Sequence, residues 1–323
     1  MKRITFLMLL LVLISCSDDN GLSETGVKDK LYVFQKNTDT NTPEIYTKLF
    51  GMDSETGKLL NEIGGYERLQ ARIYYDISYL KDKNEILTRR SVYEGDRGEE
   101  IVKFNLNSNQ ETIISFKNDI YDLTVINNRL FGFIVNTDSA DLVEVDEFGN
   151  IISVIESFKN LLDAPDNNRT GLENLTFSEE KNMIIIRRRI SFYNGDTNKM
   201  FTYNIKTKEK RTVDIEDYKS IICGNEGRMF AIKTGMNINN EWYTKLVEFD
   251  LYTGKELRDV CLFSSSYNYQ ELVFLSGSNQ VMLKEFSTGI GKVHVDSGEI
   301  STIQINYDYN DIVGLNAVRV LGY

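Results

Sequence analysis

From residue 31 to the C-terminal end, short runs of alternating apolar and polar residues recur between clusters of Asp, Asn, Gly and Ser. Alternation with a period of two is the mark of a β-strand with one face buried. The clearest repeat is a strand that ends in Asp or Asn and runs into a tight polar turn. It reads LFGMDSETGK (49–58), IVKFNLNSNQ (101–110), LVEVDEFGN (142–150), MFTYNIKTKE (200–209), LVEFDLYTGK (246–255) and KVHVDSGE (292–299). The turn position holds Asp53, Asn105, Asp146, Asn204 and Asp250, with His294 in the sixth copy. Between Asp53 and His294 the interval averages about 48 residues.

Each copy has a partner strand upstream: 31–37, 85–93, 129–136, 183–193, 228–235 and 280–286. A further short strand precedes five of these, at 76–80, 122–126, 174–178, 219–223 and 271–275. A sixth such strand, DIVGL (311–315), has no hairpin after it, and the first partner strand has none before it. The two leftovers complete each other if the chain closes into a ring. The expected fold is therefore all-β: a six-bladed β-propeller of four-stranded antiparallel blades, with the first blade closed by a C-terminal strand. Closure removes the exposed sheet edges that an open array would leave at its ends. A seventh blade is the alternative, if AVRVLGY (317–323) forms an extra hairpin. One helical turn is expected only in the long connection at 158–171.

The D-x-x-T-G-K turns at Asp53–Lys58 and Asp250–Lys255 resemble those of quinoprotein-type and TolB-like propeller blades. In that resemblance the Asp carboxylate caps the turn and Gly takes the positive φ. The single tryptophan, Trp242, departs from the Trp ring of true quinoproteins, and no cofactor is expected.

The N-terminus begins with Lys2 and Arg3 and continues as an apolar run from Ile4 to Ile14. That run is too short to span a bilayer, which takes roughly 20 residues. It has the layout of an export signal. Leu13-Ile14-Ser15-Cys16 resembles a bacterial lipobox, which implies cleavage before Cys16 and lipidation of its thiol. The expected organisation is a signal at 1–15, a polar tether at 16–29 and the propeller at 30–323. Ser17-Asp18-Asp19 resembles the surface-export signal of Bacteroidota lipoproteins. The chain as a whole resembles the six-bladed propeller lipoproteins of that phylum. These resemblances imply an outer-membrane protein anchored by lipid, on the cell surface or on the periplasmic face.

The formal net charge is −11, and loss of Lys2 and Arg3 with the signal takes it to −13. Nucleic acid is not an expected partner, because phosphate binding needs basic patches. Membrane contact is left to the acyl chains. Cys223 and Cys261 fall on the innermost and outermost strands of one blade, roughly 14 Å apart at 4.8 Å per strand. A disulfide needs Cα atoms within about 7 Å, so both are expected free and buried.

The single histidine rules out a multi-His zinc site, no metal site is expected, and His294 reads as a turn residue. Arg187-Arg188-Arg189 reads as a solvated strand face. One feature exceeds packing needs: a tyrosine followed by a polar residue just before the innermost strand. The pairs are Tyr75-Asp76, Tyr121-Asp122, Tyr218-Lys219, Tyr269-Gln270 and Tyr309-Asn310, with Leu172-Glu173 in the remaining blade. Such a ring at one channel mouth suits glycan or peptide, since Tyr offers contact area and a hydrogen bond at low entropy cost. The alternative is that each ring packs between blades. The leading functional expectation is a lipid-anchored binding module for glycan, peptide or a partner protein. A propeller glycosidase or lyase with carboxylates at the channel mouth is the second, and a periplasmic scaffold for outer-membrane assembly the third.

Overall fold

The structure is a computed structural model that describes residues 28–37, 46–67, 72–92, 98–115, 120–136, 139–159, 172–178, 180–188, 198–263, 272–284, 289–304 and 312–320. Its strands are β1 (Lys28–Asn37), β2 (Tyr46–Met52) and β3 (Leu59–Glu67) in blade 1, then β4 (Arg72–Leu80), β5 (Glu85–Val92), β6 (Gly98–Asn105) and β7 (Gln110–Ser115) in blade 2. Blade 3 holds β8 (Ile120–Ile126), β9 (Arg129–Val135), β10 (Ser139–Val145) and β11 (Ile151–Lys159). Blade 4 holds β12 (Leu172–Ser178), β13 (Met183–Arg188), β14 (Asn198–Asn204) and β15 (Lys210–Ile215). Blade 5 holds β16 (Tyr218–Cys223), β17 (Met229–Met236), β18 (Trp242–Phe249) and β19 (Glu256–Phe263). Blade 6 holds β20 (Leu272–Leu275), β21 (Gln280–Lys284), β22 (Gly289–His294) and β23 (Ile300–Gln304), and β24 (Ile312–Val320) follows.

These strands form six four-stranded antiparallel sheets, and β24 lies innermost in the first, beside β1. The innermost strands β24, β4, β8, β12, β16 and β20 touch in that order around a closed ring. This is a six-bladed β-propeller. Residues 312–320 form one strand paired from Lys28 to Gln35, so they supply no seventh blade. The helical turn expected at 158–171 is not seen through Lys159, where β11 continues, and the rest of that segment lies outside the described residues.

The core is divided among the blade interfaces. Six apolar clusters occupy the six gaps between neighbouring blades. Consecutive residues of a second strand point into different gaps: Ile86 joins the cluster with blade 1 and Leu87 the cluster with blade 3. Ile184 and Ile185, or Val281 and Met282, split in the same way. The second strands are thus buried on both faces, which corrects the half-buried reading of their pattern. MIII at 183–186 is apolar at every position for this reason.

The repeated polar turn is chemically uniform. Asp53 Oδ1 accepts from the Thr56 N–H at 2.7 Å and from its hydroxyl at 2.7 Å. Asp146 accepts from the N–H groups of Phe148 and Asn150, whereas Asn105, Asn204 and Asp250 likewise accept from the N–H three residues on. His294 does so with Nδ1, 3.4 Å from the Ser297 N–H. In five turns the residue four after the cap adopts positive φ, +68° at Gly57 and at Gly254 but +62° at Lys208, and in blade 3 it is Gly149, three after Asp146. At Gly254 a Cβ would also lie 2.2 Å from the Asp214 carbonyl oxygen of the preceding blade. That turn rests directly on the neighbouring backbone.

Left-handed backbone costs a residue with a Cβ roughly 1–2 kcal/mol. Lys208→Gly is therefore expected to stabilise the chain by about 0.5–1 kcal/mol in denaturant titrations, after its own loss of unfolded-state restriction. Gly254→Ala is expected to cost about 2 kcal/mol or more, since strain and a backbone clash combine. A neutral Gly254→Ala would show that the blades do not meet at this turn.

Candidate functional site

The two ends of the ring differ. One end carries the turns between first and second and between third and fourth strands of each blade. The chain enters β1 from this end, because Lys28 pairs with Val320 whereas Gln35 pairs with Ile312. The other end is where outermost strands hand over to the next innermost strand. There the pairing of first and second strands is repeatedly interrupted. In β16, Tyr218 pairs with Lys233 and Ser220 with Ile232, so Lys219 is an extra residue. Asn174 is extra in β12, and Val313 in β24. In β4 the shift falls between Tyr74 and Ile77, taking in Tyr75 and Asp76, and in β8 between Tyr121 and Thr124, taking in Asp122. Five of the six innermost strands therefore start with a β-bulge around one channel mouth. Bulges re-aim side chains and gather near active and binding sites.

This register sorts the expected ring. Tyr121 and Tyr218 are the last paired residues before their bulges, followed by Asp122 and Lys219; in β4 that place is taken by Tyr74, and Tyr75 and Asp76 are both within the bulge. In blade 4 the equivalents are Glu173 and Asn174, one residue later than the expected Leu172-Glu173. In the closing strand they are Ile312 and Val313, which Tyr309 and Asn310 precede by three residues. A shift of one residue on a strand exchanges faces. Tyr269, Gln270, Tyr309, Asn310 and Cys16 lie outside the described residues, and β4 and β8 are described at Tyr75, Asp76, Tyr121 and Asp122 in backbone only.

Tyr218 shows what the aromatic position does. Its side chain is fully buried between blades 4 and 5, against Met183, Ile185 and Met200 on one side. Its ring lies 4.8 Å from that of Phe249, and its hydroxyl donates to the Gly254 carbonyl at 3.3 Å. Burial pushes its hydroxyl well above the usual tyrosine range. At this blade the tyrosine is an inter-blade wedge with no ring face for a ligand, so the polar residue after it is the one left for recognition.

Arg187 is only 3% exposed and donates from Nη1 to the Tyr218 carbonyl across the same blade boundary. Sequence reasoning placed it on a solvated face; a guanidinium that satisfies a bulged carbonyl is better placed inside. Around it, Asp217 accepts from Lys219 at 2.6 Å and from Asn198 at 3.1 Å. Burial raises the Asp217 carboxyl, but Lys219, Asn198 and the Arg187 charge outweigh it and hold it low. Behind the bulge, Lys233 pairs with Glu216 and Glu256, and Lys245 bridges Glu256 at 2.8 Å and Asp259 at 2.5 Å. Burial pushes Glu256 up, yet its bonds from Lys245 and Lys233 hold it at about 2. This network had no sequence signal, because its members come from three strands and a connection.

The acids share a direction. Every described carboxyl with a displaced pKa, Asp53, Asp217, Glu248 and Asp296 among them, is held below its usual range. Such groups stay ionised near neutrality and suit binding; a general acid needs the opposite displacement. Cys223 and Cys261 are free, as expected, but only partly buried, and burial pushes both thiols up to about 11. They are protonated at neutral pH and are weak nucleophiles.

No family model matches the chain, and no curated protein matches it. In fold it is similar to TolB from Acinetobacter baumannii, at 10% identity and a TM-score of 0.57, over 90% of this chain and 66% of that one. It is also similar to the periplasmic gluconolactonase of Pseudomonas aeruginosa, at 10% identity and a TM-score of 0.50, over 90% and 99% of the two chains. Oligogalacturonate lyase from Vibrio parahaemolyticus gives 10% identity and a TM-score of 0.50, over 77% and 74%. The chain spans just under two thirds of the TolB length. At such identities these likenesses show the fold alone.

Tyr218→Ala is expected to cost roughly 3–5 kcal/mol of stability, as for other large buried side chains. Tyr218→Phe should cost about 1 kcal/mol, the worth of its hydrogen bond. Equal stability of Tyr218→Ala and wild type would contradict the wedge. The Glu256 pKa is depressed on folding, so its contribution is present above its unfolded value near 4.3 and lost as pH falls toward about 2. Denaturation midpoints should show wild type losing its advantage over Glu256→Gln across that acidic window.

Proposed function

We propose that this chain is a cell-envelope binding module that holds an extended polar ligand, glycan or peptide, at the bulged channel mouth. The observation that carries this reading is the bulge repeated at five of the six innermost strands. It brings the backbone of Asp76, Asp122, Asn174 and Lys219 to one opening, and in this reading these three residue types meet a chain-like ligand. In this reading Cys16 is lipidated, and the tether joins at the face opposite the mouth, so it leaves the opening uncovered. The likeness to TolB and to a periplasmic gluconolactonase is consistent with an envelope location. Ser17-Asp18-Asp19 supports export to the outer face.

Glycan and peptide arrays probed with the wild type and with Asp76→Asn, Asp122→Asn and Lys219→Ala test the mouth. Loss of at least about tenfold in affinity is expected in two or more variants, each charged contact being worth roughly 1.5–3 kcal/mol. Tyr121→Ala should lose stability rather than show selective loss of ligand. Binding that is unchanged in all three mouth variants would overturn the assignment. Protease treatment of intact cells tests location: digestion supports the outer face, and protection places the protein in the periplasm.

A further inference from the structure

The outermost strands are the edges that the closed ring leaves unpaired, and edges are normally guarded by charge. β15 carries Lys210, Arg211 and Asp214, and β19 carries Glu256, Arg258 and Asp259. β11 differs. Its first five residues, Ile151 to Ile155, are uncharged, as are all five of β23, but here Ile151, Ile152 and Val154 are 42%, 59% and 57% exposed. No other outermost strand exposes three aliphatic side chains among the described residues. Its two register shifts do not set it apart, since β3 and β19 have them too.

Two further features lie on the same strand. Phe148, on the turn that leads into β11, is 63% exposed. Toward the other end, a cavity of about 360 Å³ opens between blades 3 and 4. Phe158 and Phe201 line it, edge to face at 5.0 Å, with Glu156, Lys210 and Arg211 also on its walls. An exposed aromatic and an aromatic-lined cavity thus stand ten residues apart on one open edge, about 33 Å at 3.3 Å per residue.

We propose that blade 3 is a self-association surface, in which two copies lay their β11 strands antiparallel about a two-fold axis and each Phe148 enters the other copy's cavity. A two-fold between Ser153 and Val154 sets Gly149 opposite the partner's Phe158, with Phe148 beside it. The surface is self-complementary, as an isologous interface requires. An acidic chain needs an uncharged centre for this, because like charges brought together cost several kcal/mol. Ile151 to Ile155 supply it. The channel mouth takes no part, so ligand binding and association are separate. The two-fold inverts one ring relative to the other. From Cys16 to Lys28 the tether reaches roughly 40 Å when extended, enough to pass along strands of this length.

Sedimentation velocity of the full chain in non-ionic detergent, from about 1 to 100 µM, tests the proposal. A dimer is expected in wild type and in Leu257→Ser, which removes an exposed aliphatic from β19. Phe148→Ser and Ile152→Lys should each weaken it at least about tenfold. Both positions are exposed, and thermal melts verify that each variant folds, so either one carries the test alone. A wild type that stays monomeric throughout, or a dimer that a folded variant leaves intact, overturns the proposal.

Discussion

Everything in this molecule depends on the burial of both faces of each blade's inner strands. A four-stranded sheet with two apolar faces cannot be stable alone, because each face needs a cover. In a ring every blade covers its two neighbours, and the six clusters are the result. Each large side chain buried there contributes roughly 1.5–3 kcal/mol, and none of that is available to an isolated blade. The closing strand β24 follows from the same need. It covers the inner edge of β1 and locks the last blade to the first.

Close approach of the blades fixes the chemistry at the turn end. A cap, a left-handed residue and a backbone contact recur there because each turn must be compact enough to lie against its neighbour. Long cations then bridge the gaps. Lys292 reaches the Ser54 carbonyl and Glu55 from the last blade to the first, Lys103 reaches Glu147, and Arg228 reaches Asp296. Lys103 and Lys292 are almost wholly buried, so these pairs are shielded more than ordinary surface bridges.

The sequence showed the blade count, the strand roles, the turn caps and even the substitute cap at His294, because each rests on local periodicity and turn chemistry. It misjudged what depends on a partner strand. MIII at 183–186 has no visible alternation, since consecutive residues enter different gaps. The bulges leave no mark in composition, because an extra residue is defined only against the strand beside it. That is why a tyrosine-polar pair could be matched in five blades while the register aligns only Tyr121 and Tyr218, with Tyr74 rather than Tyr75 at that place in β4. Arg187 looked solvated for the same reason: its acceptor is a carbonyl 31 residues away in the next blade.

The contrast between the two repeated positions supports the proposed ligand site more firmly than either does alone. At the turn, six blades hold Asp, Asn or His, all acceptors that satisfy N–H groups of their own turn; one mechanical task has produced one chemistry. The bulged position performs one backbone task as well, yet it holds Asp76, Asp122, Asn174, Lys219 and Val313. In blade 5 packing does not require Lys219, for the wedge is supplied by the residue before it, Tyr218. A position whose geometry is repeated and whose chemistry is not is where a ring of near-identical units can read a ligand that is not six-fold symmetric.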